Sequence, residues 1–264
     1  MITFDALMSQ FSSEEGGQFS LDAPESWSQG RTLYGGLSAA LCHVAAKAGA
    51  ETDRPMKSAL VCFVGPASGI VSGEAEVLRR GRSTVVSEAT LRTEKGIGTR
   101  AVFVYGDARE SRITQSDLVA PDVAAPDACE RMWKEDARRP GFAHNFDVLK
   151  AGASVPMSGA EKGEMLVWCR HNTPVGDDQT AALLALADVL PPACFTMFQE
   201  PAPISTITWS VEFLQPEVDV SNNWFLFHTI AEHTADGYSS QAMYLYDEQR
   251  RPVLAHRQNV TIFY

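Results

Sequence analysis

Two adjacent glycines, Gly35 and Gly36, open the longest small and apolar run in the chain, TLYGGLSAALCHVAA from Thr32 to Ala46. The first turn of a helix leaves backbone N–H groups without partners and carries the positive end of the helix dipole, and residues without a β-carbon let other atoms approach that backbone. The run is therefore either a plain core helix or half of a ligand site. Other chemistry-bearing residues exclude more than they suggest. The six histidines (43, 144, 171, 228, 233 and 256) have no metal-ligand spacing, and His43, on the apolar run, reads as a core histidine. Five cysteines (42, 62, 129, 169 and 194) are odd in number, widely spaced and without a Cys-x-x-Cys pair, so buried free thiols are expected rather than disulfides or zinc. There is no Gly-x-Ser-x-Gly elbow for a Ser–His–Asp hydrolase, and YGGLSA lacks the lysine and spacing of a phosphate loop.

The elements that must position these residues come in two similar series. SALVCFVGP (58–66) is matched 150 residues on by TWSVEFLQP (208–216), so Phe63-x-x-Pro66 has a counterpart in Phe213-x-x-Pro216. Each is followed by three segments in which β-branched or aromatic residues alternate with polar ones, the period of half-buried antiparallel strands. Gly81-Arg82-Ser83 and Gly237-Tyr238-Ser239 occupy the same turn of each series, and VFVY (102–105) answers TIFY (261–264). The boundaries that follow are an N-terminal repeat at 1–106, a connector at 107–140 and a C-terminal repeat at 141–264. The connector is rich in Asp, Ala, Pro and Arg and is expected to carry a short helix near Asp127–Asp136. The second repeat's helix is predicted over Asp177–Leu190, started by the Asp177/Asp178 pair and stopped by Pro191-Pro192.

One helix followed by several antiparallel strands has an economical solution, a sheet curled around the helix, which explains a helix with hardly a polar face. Composition agrees: 264 residues, 45% hydrophobic and 21% charged, with no low-complexity window. A net charge of -11 disfavours nucleic-acid partners. The N-terminal stretch MITFDALMSQFSSEEGG shows neither a basic leader nor a long apolar segment, so no membrane span and a cytoplasmic location are expected.

This layout, with LYGGLSAAL, LRRGRS, LADVLPP, ISTITWSVEFLQP and the terminal VLAHRQNVTIFY, resembles the double-hotdog acyl-CoA thioesterases of the acyl-CoA thioesterase II family over nearly the whole chain. The fold so implied is α+β, a double hotdog of two tandem repeats, each an antiparallel sheet wrapped around one long helix. The activity implied is hydrolysis of an acyl-CoA, with no cofactor and no metal, in a homodimer or higher homo-oligomer. In that family an Asp on the second hotdog helix, a Thr early on the next strand and a Gln on the last strand hold the attacking water. Their counterparts in this sequence are Asp188, Thr206 and Gln258.

Those residue types suit the chemistry, because a carboxylate can act as general base while hydroxyl and amide groups direct a water. Asp188 also lies between Leu186-Ala187 and Val189-Leu190, where desolvation would raise its pKa. The N–H groups at Gly35, Gly36 and Leu37 are candidates for the oxyanion and substrate. Arg79, Arg80 and Arg82 are the candidate contacts for the phosphates of coenzyme A, against the alternative of a solvated turn. Trp209, Phe195 and Met197 are expected to close the acyl groove. Two other readings remain open at this point: a non-catalytic acyl-CoA-binding protein, and a hotdog enoyl-CoA hydratase using Asp177 or Asp178 with His171.

Overall fold

The computed structural model describes residues 2–10, 18–133, 139–152 and 154–264. Its first half runs α1 (Phe4–Gln10), β1 (Phe19–Asp22), a two-residue ribbon of β2 (Ser28–Gln29) and β3 (Thr32–Leu33), and then α2 (Gly35–Gly49). Strands β4 (Met56–Phe63), β5 (Ile70–Arg80), β6 (Thr84–Thr93) and β7 (Gly96–Gly106) follow. The second half runs β8 (Phe146–Lys150), β9 (Glu164–His171), α3 (Gln179–Ala187), β10 (Ile204–Phe213), β11 (Phe225–Ala235), β12 (Tyr238–Tyr246) and β13 (Pro252–Ile262).

Eleven of these strands form one antiparallel sheet in the order β1-β5-β6-β7-β4-β10-β13-β12-β11-β9-β8. Read outward from its centre, β4-β7-β6-β5-β1 and β10-β13-β12-β11-β9 are the same succession twice. This is the double hotdog that the family resemblance implied. The halves are joined edge to edge by β4 and β10, whose register runs from Cys62 opposite Thr208 to Ser58 opposite Glu212. Hydrogen bonding across that seam removes two strand edges that each half would otherwise leave open.

Helix α2 lacks a polar stripe because the sheet and α3 enclose it: the run Gly36–His43 is buried throughout, and Ala39, Ala40, Ala45 and Ala46 expose no surface. Helix α3 is shorter than its predicted span. Asp178 rather than Asp177 is its N-cap, accepting from the Ala181 N–H at 2.9 Å, and the helix ends at Ala187 with Asp188 as C-cap. Pro191 disfavours helical geometry at Leu190, and the last turn closes instead through the Val189 N–H and the Leu186 carbonyl. The acid expected within the helix is thus lifted onto the turn that leaves it.

The two helices lie antiparallel. The N-terminal end of α2 meets the C-terminal end of α3, where the Tyr34 hydroxyl donates to the Ala185 carbonyl at 2.8 Å; at the opposite end Lys47 of α2 meets Asp178 of α3. The connector crosses the outer face of the second half. Ala124 accepts from the Trp168 indole, and the Arg250 guanidinium donates to the Pro121 and Val123 carbonyls while stacking over Trp168. Of the helix expected near Asp127–Asp136, only a single 3-10 turn, Pro126–Ala128, is formed up to residue 133; residues 134–138 lie outside the described residues. No helix among the described residues is long and apolar enough to cross a membrane.

Candidate active site

Asp188, Thr206 and Gln258 come from three elements and converge beside the start of α2. Asp188 is placed by the turn that ends α3, and Gln258 by the inward face of β13. The Gln258 side-chain amide donates to Asp188 Oδ1 at 2.6 Å. The Gly36 backbone N–H is a second donor to the same carboxylate. Burial pushes the Asp188 carboxyl up to about 7, and the hydrogen bonds from Gln258 and Gly36 limit the rise by favouring the charged form. A base poised near neutrality is ionised in a large fraction of molecules and still accepts a proton readily.

Thr206 reaches the same wall through a β-bulge. Along β10 the pairing with β13 shifts between Thr206 and Thr208, so Thr206 lies opposite Val260 while Trp209 lies opposite Gln258. Residues three apart on a regular strand point to opposite faces; one extra residue in the bulge turns both Thr206 and Trp209 toward the helices. Gln258 and Val260 are themselves buried on that face.

Gly35, Asp188 and Thr206 all line a cavity of about 450 Å³, with Ser38, Phe63 and Ile204 among its other walls. The glycines are dictated by close approach. A β-carbon on Gly35 would lie 2.7 Å from Asp188 Oδ2 and 3.1 Å from the Phe63 ring, and one on Gly36 would lie 2.8 Å from the Ala185 carbonyl oxygen and from the Tyr34 ring. Of the three backbone groups expected to face a substrate, only Gly35 borders the cavity; Leu37 is fully buried and Gly36 gives its N–H to Asp188. The pair of glycines therefore makes room for the acid, and Gly35 also borders the cavity.

The arginine cluster is not brought to this cavity. Arg80 donates to the Ala50 carbonyl at the C-terminal end of α2, and Arg82 uses its own carbonyl to accept from Arg54. Fifteen helical residues, about 20 Å, separate that end from Gly35. Nor do Trp209, Phe195 or Met197 border the cavity: Trp209 is buried with its indole donating to His256, and Met197 is exposed. Phe63, Val64, Leu33 and Ile204 take their place. Periodicity alone does not give the twist and curl that decide which apolar side chains meet a groove.

A second cavity of about 530 Å³ lies at the opposite end of the helix pair, bordered by Phe213 and Pro216 as the first is by Phe63 and Pro66. Where the first has Asp188 from the departing end of one helix, this one has Lys47 from the other. Its Asp178 is engaged by His43 Nε2 at 3.5 Å and by Lys47 at 3.4 Å. Burial by itself would raise the Asp178 carboxyl, but His43, the Ala181 N–H and Lys47 together hold it well below the ordinary carboxylate range. His171 is not its partner; that ring bonds to the Ala182 carbonyl through Nε2 at 2.9 Å.

One buried side chain at the first site was not singled out from the sequence. Gln241 on β12 lies opposite Gln258 in register and donates to Gln258 Oε1 at 2.8 Å. Its signal was a polar residue on the inward period of a strand, in the series Ser239, Gln241, Met243 and Leu245, all buried.

Comparison with known families matches residues 23–106 to the acyl-CoA thioesterase N-terminal domain and residues 126–262 to the acyl-CoA thioesterase C-terminal domain. No match was found among curated proteins. Among solved structures, a conserved protein of unknown function with a hot dog fold from Alicyclobacillus acidocaldarius is 26% identical, with a TM-score of 0.85, over 94% of this chain and 93% of that one. Acyl-CoA thioesterase II TesB2 from Mycobacterium marinum is 16% identical, with a TM-score of 0.77, over 96% of each chain. The tesB protein of Mycobacterium avium subs paratuberculosis is 16% identical, with a TM-score of 0.79, over 98% of this chain and 99% of that one. At such identities the last two speak to the fold.

Proposed function

This chain belongs to the acyl-CoA thioesterase family, and from that premise we propose that it hydrolyses an acyl-CoA to the free acid and coenzyme A through a water activated by Asp188 and oriented by Thr206 and Gln258. The observation that carries the reading is the Gln258–Asp188–Gly36 hydrogen-bond cluster at the wall of the Gly35 cavity, with the carboxyl near 7. In the proposed step the water oxygen bonds to the thioester carbonyl carbon while Asp188 takes its proton. The carbonyl oxygen becomes an oxyanion at the Gly35 end of α2, where the positive end of the helix dipole stabilises it. The intermediate collapses with cleavage of the C–S bond, and the departing thiolate recovers the proton from Asp188. On this reading the C-terminal repeat, 141–264, supplies the base and its orienting groups, and the N-terminal repeat, 1–106, supplies the helix start that faces them.

The hydratase alternative finds an Asp–His pair in the structure, Asp178 with His43. Asp178 is committed to capping α3 and pairing with Lys47, which leaves thioester hydrolysis at Asp188 as the better-supported chemistry. Incubating the purified protein with acyl-CoAs from acetyl to palmitoyl and following thiol release tests the reading. Turnover abolished by Asp188→Asn is expected. Binding of every acyl-CoA without thiol release would replace hydrolysis with a binding role, and hydration of an enoyl-CoA without thiol release would favour the Asp178 site.

A further inference from the structure

We propose that Gln241 is a positioning residue that fixes the polarity of the Gln258 amide, forcing its NH2 group rather than its carbonyl oxygen toward Asp188; this rests on the assignment of Asp188 as the base. A glutamine amide can be reversed with little change of shape, so its direction is set by its partners. Here the direction propagates from a group that cannot be reversed. The Ala193 backbone N–H, which can only donate, gives its hydrogen to Gln241 Oε1 at 2.7 Å. Gln241 must then present Nε2 to Gln258, where Oε1 accepts at 2.8 Å, and this leaves Gln258 Nε2 to donate to Asp188 Oδ1 at 2.6 Å. The remaining Gln241 contact, Nε2 to Met243 Sδ at 3.4 Å, uses a donor as well and agrees with the same orientation.

The relay is enclosed: Ala193, Gln241 and Gln258 are 0, 1 and 4% exposed, so water cannot readily substitute for a missing link. Its root is five residues beyond Asp188, just past Pro191-Pro192, so one short segment sets both the acid and the orientation of the amide that holds it. Reversing Gln258 would set its carbonyl oxygen against the carboxylate, favour the protonated acid and remove the base. The titratable groups packed around the relay are Tyr34 beneath α2, Cys194 on the turn after the prolines and His256 on β13. Burial keeps all three neutral near pH 7, raising the Tyr34 hydroxyl and the Cys194 thiol and lowering His256 to about 3. None of them would supply a competing titration in the neutral range.

The test compares wild type, Gln241→Met and Gln241→Glu in full-length protein, using thiol release from the acyl-CoA turned over fastest in a series from acetyl to palmitoyl. Methionine keeps the length of the side chain and removes the relay. It is expected to lower kcat about 10- to 100-fold, the range for misplaced catalytic groups, with KM unchanged within about twofold. Glutamate restores the relay only when protonated, since only the acid form can donate to Gln258; its pH–rate profile is expected to fall at high pH where wild type stays level. In parallel, carbon-13 NMR of labelled aspartate is expected to show the Asp188 carboxyl titrating about one unit higher in Gln241→Met. A folded Gln241→Met protein with wild-type kcat and an unmoved Asp188 titration would overturn the proposal. Should the methionine variant fail to fold, a Gln241→Glu profile as level as wild type would overturn it equally. Full activity in Asp188→Asn would instead remove the base assignment, and the NMR titration alone would then decide the relay.

Discussion

Gly35 and Asp188 approach so closely that a β-carbon on the glycine would stand 2.7 Å from the carboxylate Oδ2. The contact joins the two repeats, one giving the helix start and the other the acid. The carboxylate cannot swing aside without leaving Gln258, and the added β-carbon would also press on the Phe63 ring at 3.1 Å. Gly35→Ala is therefore expected to lower kcat at least about tenfold by displacing the acid. It should also reduce stability by about 1–3 kcal/mol through overpacking, where alanine in an open helix would stabilise. Steady-state kinetics with urea unfolding check this; an alanine variant with wild-type kcat would show that the acid need not sit there.

The raised Asp188 carboxyl predicts a pH–rate profile. The base must be ionised, so kcat/KM is expected to rise about tenfold per pH unit below its pKa and to level off above about 7. An aspartate at its ordinary value would give a flat profile from about pH 5 upward. Initial rates between pH 5 and 9, with substrate well below KM, distinguish the two.

Stability carries the same signature with a definite sign. A carboxyl whose pKa is raised on folding binds more protons folded than unfolded between about 4 and 7, so its contribution to stability declines as pH rises through that window and is level above it. His171 and His256 act the opposite way: burial lowers them to about 4 and about 3, and unfolding takes up their protons below about pH 6.5. The total is thus mixed, and the difference between wild type and Asp188→Asn isolates the acid. Relative to wild type, the variant is expected to gain stability from pH 4.5 to 7.5 in parallel denaturant titrations; a pH-independent difference would mean that Asp188 titrates normally.

Much of the architecture was legible because strand alternation and one apolar helix per repeat leave few ways to bury both. Phe63-x-x-Pro66 and Phe213-x-x-Pro216 do border equivalent cavities at the two ends of the helix pair. The residue types at Asp188, Thr206 and Gln258 were legible through resemblance, and the structure brings them together. What periodicity could not supply was direction. The bulge that turns Thr206 inward has no glycine or other local marker, and Gln241 looks like any strand glutamine until its register with Gln258 is known. Where the arginine turn lies relative to the glycine helix start was likewise not legible: Arg80 donates to the Ala50 carbonyl, at the end of α2 remote from Gly35. Gly36 illustrates the limit best, since a free helix N–H is a reasonable expectation from sequence and its capture by an acid about 150 residues away is not.

The far end of the helix pair should respond in stability and not in turnover. Asp178 caps α3 through the Ala181 N–H and pairs with His43 and Lys47, so Asp178→Ala removes a cap worth about 1 kcal/mol together with a partly buried ion pair. Because its carboxyl is held below the ordinary range, the stability it contributes is present above about pH 4 and is lost as pH falls further, the reverse of Asp188. The variant is expected to be less stable than wild type by about 1–2 kcal/mol at pH 7, with the gap narrowing toward pH 3. Its kcat should stay within about twofold of wild type, because the whole length of α3, about 15 Å, separates Asp178 from Asp188. The two cavities descend from the same strand–helix pattern, and this substitution separates their roles: a large loss of turnover in a folded Asp178→Ala protein would make the Lys47 cavity a working part of the enzyme, whereas lost stability with intact turnover assigns Asp178 to holding α3, and with it the turn that carries Asp188.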